Sequence, residues 1–249
     1  MTTCTGVCID PRTSVANCGG CGQACSTQNG TPSCAASTCS MSSCTGNFLD
    51  CSTNENTSRD GCETNGDNDS ANCGRCGNVC SSRVCRGHTC LVTTDYGNTG
   101  AGSSSVQFTA NFLAGIQIFI PPSKSVVTGL GVVLAGGSNS PKMYLGLYQD
   151  EAGKPGNLVA TVTAPTVVNP GGKEFIVDPP VDISGPATFW ILGVWDMNAL
   201  FASISTTPVT WSYTARPYTD GSLPLTAPVG MNQDSTHIAA PNLYVIVAQ

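Results

Sequence analysis

Two short segments, CGGCGQAC at 18–25 and CGRCGNVC at 73–80, repeat one cysteine pattern, C-x2-C-x3-C. Cysteines at this spacing have three possible chemistries: they bind zinc as thiolates, form structural disulfides, or exchange electrons in a redox site. All fifteen cysteines of the 249-residue chain lie between Cys4 and Cys90. Whatever chemistry they perform therefore belongs to the first third of the chain.

The spacing favours disulfides. Finger-type zinc sites place a second C-x2-C about 12–20 residues after the first. Here the two C-x2-C elements are far apart, each has its own third cysteine, and His88 is the one histidine in this part of the sequence. A redox CxxC is expected inside a thioredoxin-like βαβ pattern, which these residues do not show. We expect disulfides and no metal, with a connectivity that the sequence does not reveal.

Composition leads to the same expectation. Residues 1–90 contain only nine side chains of the Leu, Ile, Val, Met, Phe, Trp and Tyr set. So few cannot offset a backbone ordering cost of roughly 1–2 kcal/mol per residue. This region must therefore be held by crosslinks if it folds.

The cysteine-rich region consists of two copies of one module, about 1–43 and 44–92. The second copy contains an even number of cysteines, and the first contains an odd number. We therefore expect one cysteine of the 4–39 group to be unpaired or to form an intermolecular bond. The first copy holds Cys4, Cys8, Cys18, Cys21, Cys25, Cys34 and Cys39, and the second holds Cys44, Cys51, Cys62, Cys73, Cys76, Cys80, Cys85 and Cys90.

Charge and hydropathy limit the partners and the location. The net charge is −6 and lysines and arginines do not cluster, which argues against a nucleic-acid partner. No apolar run reaches the ~18–20 residues of a membrane-spanning helix, so we expect no membrane insertion. Disulfides require an oxidising compartment, and we expect an extracellular or cell-surface location. The first residues, MTTCTGVC, contain no signal sequence, so we expect the numbered chain to follow a removed leader or to lie inside a larger precursor.

The repeat resembles a known group of modules. The residues that carry the likeness are NCGGCGQAC at 17–25, NCGRCGNVC at 72–80 and DGCETN at 60–65. They are similar to the NGCET…NCGxCGxxC repeats of secreted and surface proteins of gliding Gram-negative bacteria. The resemblance implies export and a spacer or adhesive role, and it implies no catalytic residue.

After residue 92 the sequence changes character. A Gly/Ser/Thr-rich stretch at 93–105 predicts a linker. Short runs rich in Val, Ile, Thr and aromatics then recur between turn residues, which predicts an antiparallel, jelly-roll-like β-sandwich over 106–249. We therefore predict an all-β protein that begins with small disulfide-rich repeats of little regular structure. The ten strand candidates are 105–112, 114–120, 125–135, 142–150, 157–164, 173–178, 187–196, 200–206, 209–215 and 242–248.

A second resemblance falls in this region. The segment LYQDEAGKPGNLVA at 147–160 is similar to the LYxDxxGxPGxLVA motif of β-sandwich domains in bacterial surface proteins. In this motif Gly153 and Pro155-Gly156 are expected to set a chain reversal. The likeness implies a fold and a surface location but no activity.

Aromatic side chains of the sandwich are candidate ligand contacts. Alternation places Leu145 and Leu147 on one face of a strand and Tyr144 and Tyr148 on the other. Such aromatics either fill the core between the sheets or form a platform on which a sugar stacks. The candidates for a sugar site are Tyr148, Trp190, Trp195, Trp211 and Tyr218, with the loop acids Asp150 and Asp220 as weak calcium candidates.

Catalytic signals are weak. The sequence contains no G-x-S-x-G elbow and no H-E-x-x-H helix, and His237 is the one histidine of the sandwich region. We therefore expect no enzyme. The expected function is an extracellular structural or adhesion protein, a disulfide-stapled spacer that carries a β-sandwich head and contacts other copies of itself, surface proteins or glycans. A protein with this function could be a subunit of a surface fibre or coat. A carbohydrate-binding module is the first alternative, and a secreted hydrolase is the second.

Overall fold

The computed structural model describes residues 1–4, 6–52, 61–100, 102, 104–121, 124–162, 166–205, 209–218, 222–235 and 239–249. Two compact units divide the chain, Met1–Leu91 and Val92–Gln249. Regular structure in the described residues is almost entirely antiparallel β, with one short 3-10 helix at Val15–Asn17 and no α-helix. The prediction of an all-β protein with a disulfide-rich start is confirmed.

The first unit contains four two-stranded ladders, and each is too small to enclose a core. The pairs are β1 with β2, β3 with β4, β5 with β6, and β7 with β8. Their bounds are β1 Thr2–Cys4, β2 Val7–Ile9, β3 Gly30–Ala35, β4 Thr38–Cys44, β5 Phe48–Leu49, β6 Thr64–Asn65, β7 Cys85–Arg86 and β8 Thr89–Cys90.

The second unit is a sandwich of two seven-stranded sheets. Sheet I contains β9 Thr93–Gly97, β10 Ser104–Phe108, β12 Lys124–Leu134, β16 Gly171–Ser184, β18 Ala199–Ser205, β21 Ala239–Pro241 and β22 Leu243–Ala248. Sheet II contains β11 Phe112–Ile120, β13 Lys142–Glu151, β14 Lys154–Thr161, β15 Thr166–Val167, β17 Ala187–Trp195, β19 Trp211–Ala215 and β20 Asn232–Asp234. From β11 to β19 the chain crosses repeatedly from one sheet to the other, as in jelly-roll-like sandwiches. Every predicted strand overlaps one of these elements, and residues 163–164 and 206 of the predictions lie outside the described residues.

The prediction of a linker at 93–105 was wrong for residues 93–97 and 104–105, and residues 101 and 103 lie outside the described residues. Residues 93–97 form β9, which pairs with β22, and β10 begins at Ser104. The backbone of Val92 also exchanges hydrogen bonds with Gln249, at N···O distances of 3.1 and 2.9 Å. The polar composition was misleading because an edge strand needs main-chain donors and acceptors, not apolar side chains. The boundary between the units therefore falls after Leu91, and the sandwich begins before the predicted residue 106.

The core of the sandwich lies between the sheets. Strand alternation turns Leu145 and Leu147 of β13 inward, where they meet Leu130 and Val132 of β12. All four side chains are fully buried, and each contributes about 1.5–3 kcal/mol through removal from water. At one end of the core Phe108 packs on three aromatic rings, with centroid distances of 5.0 Å to Trp195, 4.6 Å to Phe201 and 4.6 Å to Trp211.

A second apolar cluster covers the outer face of sheet II. Tyr148 and Trp190 have no exposed surface there, because residues 222–231 lie across them. This covering segment, as we call residues 222–231, places Leu223 against the sheet, where Gly146 makes room for it: a Cβ at Gly146 would lie 2.6 Å from Leu223 Cδ1. The expected alternation of β13 is confirmed, but Tyr148 lies under the covering segment and not between the sheets.

The motif at 147–160 is explained by this arrangement. The reversal between β13 and β14 occurs at Ala152-Gly153, where φ is +53° and +80°, as a two-residue hairpin turn requires. Pro155 is already paired within β14, so only part of the predicted reversal is correct. From β14 the Leu158 N–H donates to Leu225 O at 2.8 Å, and Gly156 O accepts from the Ala227 N–H at 2.8 Å. The motif therefore builds the hairpin and anchors the covering segment.

Tyr148 gives this interface a pH dependence. Its hydroxyl donates to Pro224 O at 2.9 Å, and burial raises its pKa well above the ordinary value, against a smaller lowering by Arg216. Because the unfolded chain loses this proton near pH 10 while the folded chain retains it, stability should fall as pH rises above about 10. Tyr148→Phe should cost about 1 kcal/mol at pH 7 and make the alkaline decline shallower. Tyr244, whose pKa burial raises to about 12, keeps part of the decline in the variant.

The measurement is urea unfolding between pH 7 and 11, followed by tryptophan fluorescence, since all three tryptophans belong to the sandwich. Tyr213→Phe is the control, because Tyr213 is 36% exposed. An alkaline decline of equal slope in wild type and Tyr148→Phe would contradict the role of the buried hydroxyl.

Candidate functional site

Fourteen of the fifteen cysteines form disulfides, and all fifteen are among the described residues. The Cα–Cα distances lie between 5.2 and 5.8 Å, within the usual range for disulfides. The pairs are Cys4–Cys21, Cys18–Cys34, Cys25–Cys39, Cys44–Cys62, Cys51–Cys76, Cys73–Cys85 and Cys80–Cys90. The prediction of disulfides is confirmed, and the structure supplies the connectivity that the sequence left open.

The connectivity repeats. Three bridges of the first copy, 4–21, 18–34 and 25–39, have counterparts in the second copy, 51–76, 73–85 and 80–90. In the first copy the Cys18 and Cys25 N–H groups donate to Gln23 O and Val15 O at 2.7 and 2.9 Å. The Cys73 and Cys80 N–H groups donate to Asn78 O and Ser70 O at 3.0 and 2.8 Å. The two copies therefore share a fold as well as a sequence.

The NCGxCG segment of each copy forms a turn that an asparagine side chain stabilises. Asn17 Oδ1 accepts from the Gly22 N–H at 2.8 Å, and Asn72 Oδ1 accepts from the Gly77 N–H at 2.8 Å. Gly22 and Gly77 have φ of +74° and +73°, a region that glycine enters without steric cost. Asparagine and glycine thus direct the chain so that the neighbouring cysteines reach their partners.

The bridge Cys44–Cys62 joins the two copies. Cys44 ends β4, so by position it belongs to the hairpin of the first copy, although the sequence boundary assigned it to the second. The Cys62 N–H donates to Gln28 O at 2.9 Å, and Cys62 O accepts from Asn29 Nδ2 at 3.0 Å. Cys62 is fully buried. The joint between the copies is therefore a disulfide flanked by one main-chain hydrogen bond and one hydrogen bond from the Asn29 side chain.

Cys8 is the one cysteine without a disulfide, and it is exposed. It lies in β2, where its Sγ is 3.8 Å from Thr3 Oγ1. One cysteine of the 4–39 group, Cys8, therefore lacks a disulfide partner within the chain, and whether it forms an intermolecular bond stays a prediction.

Sulfur atoms of neighbouring bridges also lie close together. Two groups of three, Cys18, Cys25, Cys39 and Cys73, Cys80, Cys90, have all their sulfurs within 4.8 Å of one another. Zinc binds cysteine as thiolate, and a sulfur bonded to another sulfur carries no such charge. In the oxidised form these groups are paired bridges that fill the small interior of each copy.

The predicted sugar platform does not exist as an exposed surface. Tyr148, Trp190 and Trp195 have no exposed surface, and Trp211 is 7% exposed. Tyr218 is half-buried and packs on Tyr144, with ring centroids 5.5 Å apart. The prediction that these five side chains contact a ligand was wrong for the three with no exposed surface, because they pack in apolar clusters.

The carboxylate of Asp150, a calcium candidate, accepts three hydrogen bonds within the sandwich. Its Oδ1 accepts from Gln117 Nε2 at 2.8 Å and from Trp190 Nε1 at 2.7 Å, and its Oδ2 accepts from the Gly153 N–H at 3.0 Å. The carboxylate thus ties the hairpin turn to β17, the adjacent strand, and to β11, the strand beyond it. The other calcium candidate, Asp220, and His237 lie outside the described residues.

A groove at one end of the sandwich collects aromatic residues, of which sequence reasoning had named only Trp211 as a ligand contact. It has a volume of about 250 Å³ and is lined by Gln107, Phe108, Thr109, Phe112, Ala114, Trp211, Tyr213 and Asp234. Tyr213 is 36% exposed, Phe112 is half-buried, and the rings of Phe108 and Trp211 stack with an interplanar angle of 12°. The alternation of β19 put Trp211 and Tyr213 on one face, but only the pairing of β11 with β19 brings Phe112 beside them.

Comparison with known proteins assigns this chain to no family. No protein-family model and no curated protein sequence matches the chain. Among the described residues, no helix has the length and apolar character to cross a bilayer.

The pairing scheme makes a direct prediction. Alkylation of the native, unreduced chain should label one thiol, Cys8, and alkylation after reduction in denaturant should label fifteen. Intact-mass measurement gives the counts, and peptide mapping without reduction gives the seven pairs. The Cys8→Ser variant is the control and should take up no label before reduction. Labelling of several cysteines in the native chain would contradict the scheme.

Proposed function

We propose that this chain is an extracellular, non-catalytic structural or adhesion protein in which the crosslinked repeat is a spacer and the β-sandwich is the head. The observation that carries the proposal is the repeated disulfide scheme. Seven bridges within residues 4–90 persist only in an oxidising environment, which the secreted and surface compartments provide.

The repeat has the properties of a spacer. Each bridge closes a loop of 10 to 25 residues and contributes on the order of 2–4 kcal/mol by restricting the unfolded chain. Because bridges hold the backbone at short intervals, few segments can extend into a protease active site. A unit of this kind separates a head from its attachment without needing a large core. The likeness to the repeats of bacterial surface proteins supports the same role.

The sandwich has the properties of a head. It has its own core, and the covering segment shields the outer face of sheet II. Its partners would be other copies of the chain, surface proteins or glycans, in keeping with the net charge of −6, which disfavours nucleic acid. A subunit of a surface fibre or coat is the assembly that fits these properties.

Cells that produce the protein offer the test. A membrane-impermeant maleimide should label the protein on intact cells or in the medium at Cys8, and the Cys8→Ser protein should remain unlabelled. Deletion of the gene should reduce attachment between cells or to a surface, and purified chain added from outside should restore it. Labelling only after lysis, or attachment and envelope structure unchanged by deletion, would contradict the proposal.

A carbohydrate-binding head is the second candidate, and the aromatic groove is the observation that favours it. Aromatic faces stack on the C–H faces of sugar rings, and a carboxylate and an amide beside them suit hydroxyl groups. Phe112 and Tyr213 would supply the exposed ring surface, with Asp234 and Gln107 at the rim. This candidate site shares Trp211 with the residues that the sequence suggested and otherwise uses different ones.

The groove is tested by a glycan array and by calorimetry on the bound sugar. Tyr213→Ala should weaken binding roughly 2–12-fold, since a ring contact contributes about 0.5–1.5 kcal/mol. Phe119→Ala is the matched control, because Phe119 is an aromatic residue of β11 that is 57% exposed and lies outside the groove. An array without a hit, or equal losses in both variants, would remove this candidate.

A further inference from the structure

Cys8 has a counterpart in the second copy whose bonding is known. The bridges 4–21 and 51–76 correspond, so Cys4 is equivalent to Cys51. The next cysteine in each copy is Cys8 or Cys62, and each lies at or beside a short ladder: β1 with β2 in the first copy, and β5 with β6 in the second. Cys8 therefore occupies the position of Cys62, whose partner is Cys44 at the end of the preceding hairpin.

The two positions differ in what covers them. Cys62 is fully buried because residues 28–30 and the end of β4 pack against it, with a hydrogen bond on each side of its peptide unit. Cys8 is exposed, and its neighbour Val7 is 62% exposed. The surface that is buried in the joint of the second copy is therefore exposed to solvent in the first copy.

The Cys44–Cys62 bridge joins the end of one copy to the next copy, so a row of copies has a direction along the chain. Cys44 follows Cys39 by five residues, and the residue five positions after Cys90 is Asp95. Asp95 lies in β9, paired with Ile246 of the sandwich. The second copy therefore offers no cysteine for a further joint. A second molecule of this chain cannot supply one either, because its Cys44 is bonded to its own Cys62.

We infer that Cys8 is an attachment point for another module of the same type. That module would stand before the first copy as the first copy stands before the second, and it would carry an unbonded cysteine at the position of Cys44. The new bridge would repeat Cys44–Cys62 and would bury Cys8 and Val7 under the hairpin of the added module. The inference deepens the proposed function and rests on it, since it makes the spacer extensible at one end and closed by the sandwich at the other.

The bond forms by thiol–disulfide exchange with a small-molecule disulfide such as oxidised glutathione. The Cys8 thiolate attacks one sulfur of this oxidant, forms a mixed disulfide and releases one glutathione thiolate. The thiolate of the incoming cysteine then attacks Cys8 Sγ and releases the second glutathione. The two cysteines lose two protons and two electrons in total, and the oxidant is reduced to two thiols.

A fusion tests the inference on the full chain. A second copy of residues 1–47 is placed before Met1, so that six residues separate the added Cys44 from Cys4, as six separate Cys44 from Cys51. After oxidation with glutathione, peptide mapping should find a bridge between the added Cys44 and the original Cys8. The original Cys8 should no longer be alkylated, and one labelled thiol should remain, at the Cys8 of the added copy. Replacing the added Cys44 by serine is the control and should give two labelled thiols.

Alkylation of the original Cys8 in the fusion, a Cys8–Cys8 bridge, or a bond from the added Cys44 to any other cysteine would overturn the inference. These results are distinct from failure of the proposed function. If the seven original bridges form and the original Cys8 stays unpaired, only the inference fails. If the seven bridges are absent from both the parent chain and the fusion, the proposed function fails with it.

Discussion

Sulfur–sulfur bonds replace apolar packing in the described residues of the first unit, Met1–Leu91. The ladders there are two to seven residues long, and the buried side chains of each copy are mainly cysteines. A backbone of this length costs far more entropy than nine larger apolar side chains could offset. The asparagine turns, the positive-φ glycines and the joint at Cys62 all serve to bring cysteine pairs to bonding distance, so each depends on the bridges forming.

The sandwich obeys a different constraint. Its stability comes from side chains buried between two sheets and from a second cluster that residues 222–231 cover. The covering segment removes Tyr148 and Trp190 from solvent, and the core between the sheets encloses Trp195. The end groove is a place where several aromatic rings lie together near the surface. The same chain therefore joins a unit that requires oxidation to a unit that does not.

Local patterns in the sequence predicted local structure well. Alternation and turn residues located the strands of the sandwich, and odd parity among the cysteines of the first copy anticipated the free thiol at Cys8. Predictions failed where pairing between distant segments decides the outcome. Residues 93–97 look like a linker, but β22 supplies hydrogen-bond partners for them. Tyr148 and Trp190 look accessible on the outer face of a strand, but a segment some seventy residues after Tyr148 in the sequence covers them. Phe112 and Tyr213 form a groove only because β11 pairs with β19.

Amide hydrogen exchange with and without reductant tests the central claim most directly. The N–H groups of Cys18, Cys25, Cys73 and Cys80 are bonded within the turns, and they should exchange slowly in the oxidised chain. Complete reduction, verified by intact mass, should remove this protection throughout residues 1–91. Core amides of the sandwich, such as those of Leu130 and Leu147, should keep theirs. Protection of the repeat that survives full reduction would contradict the account.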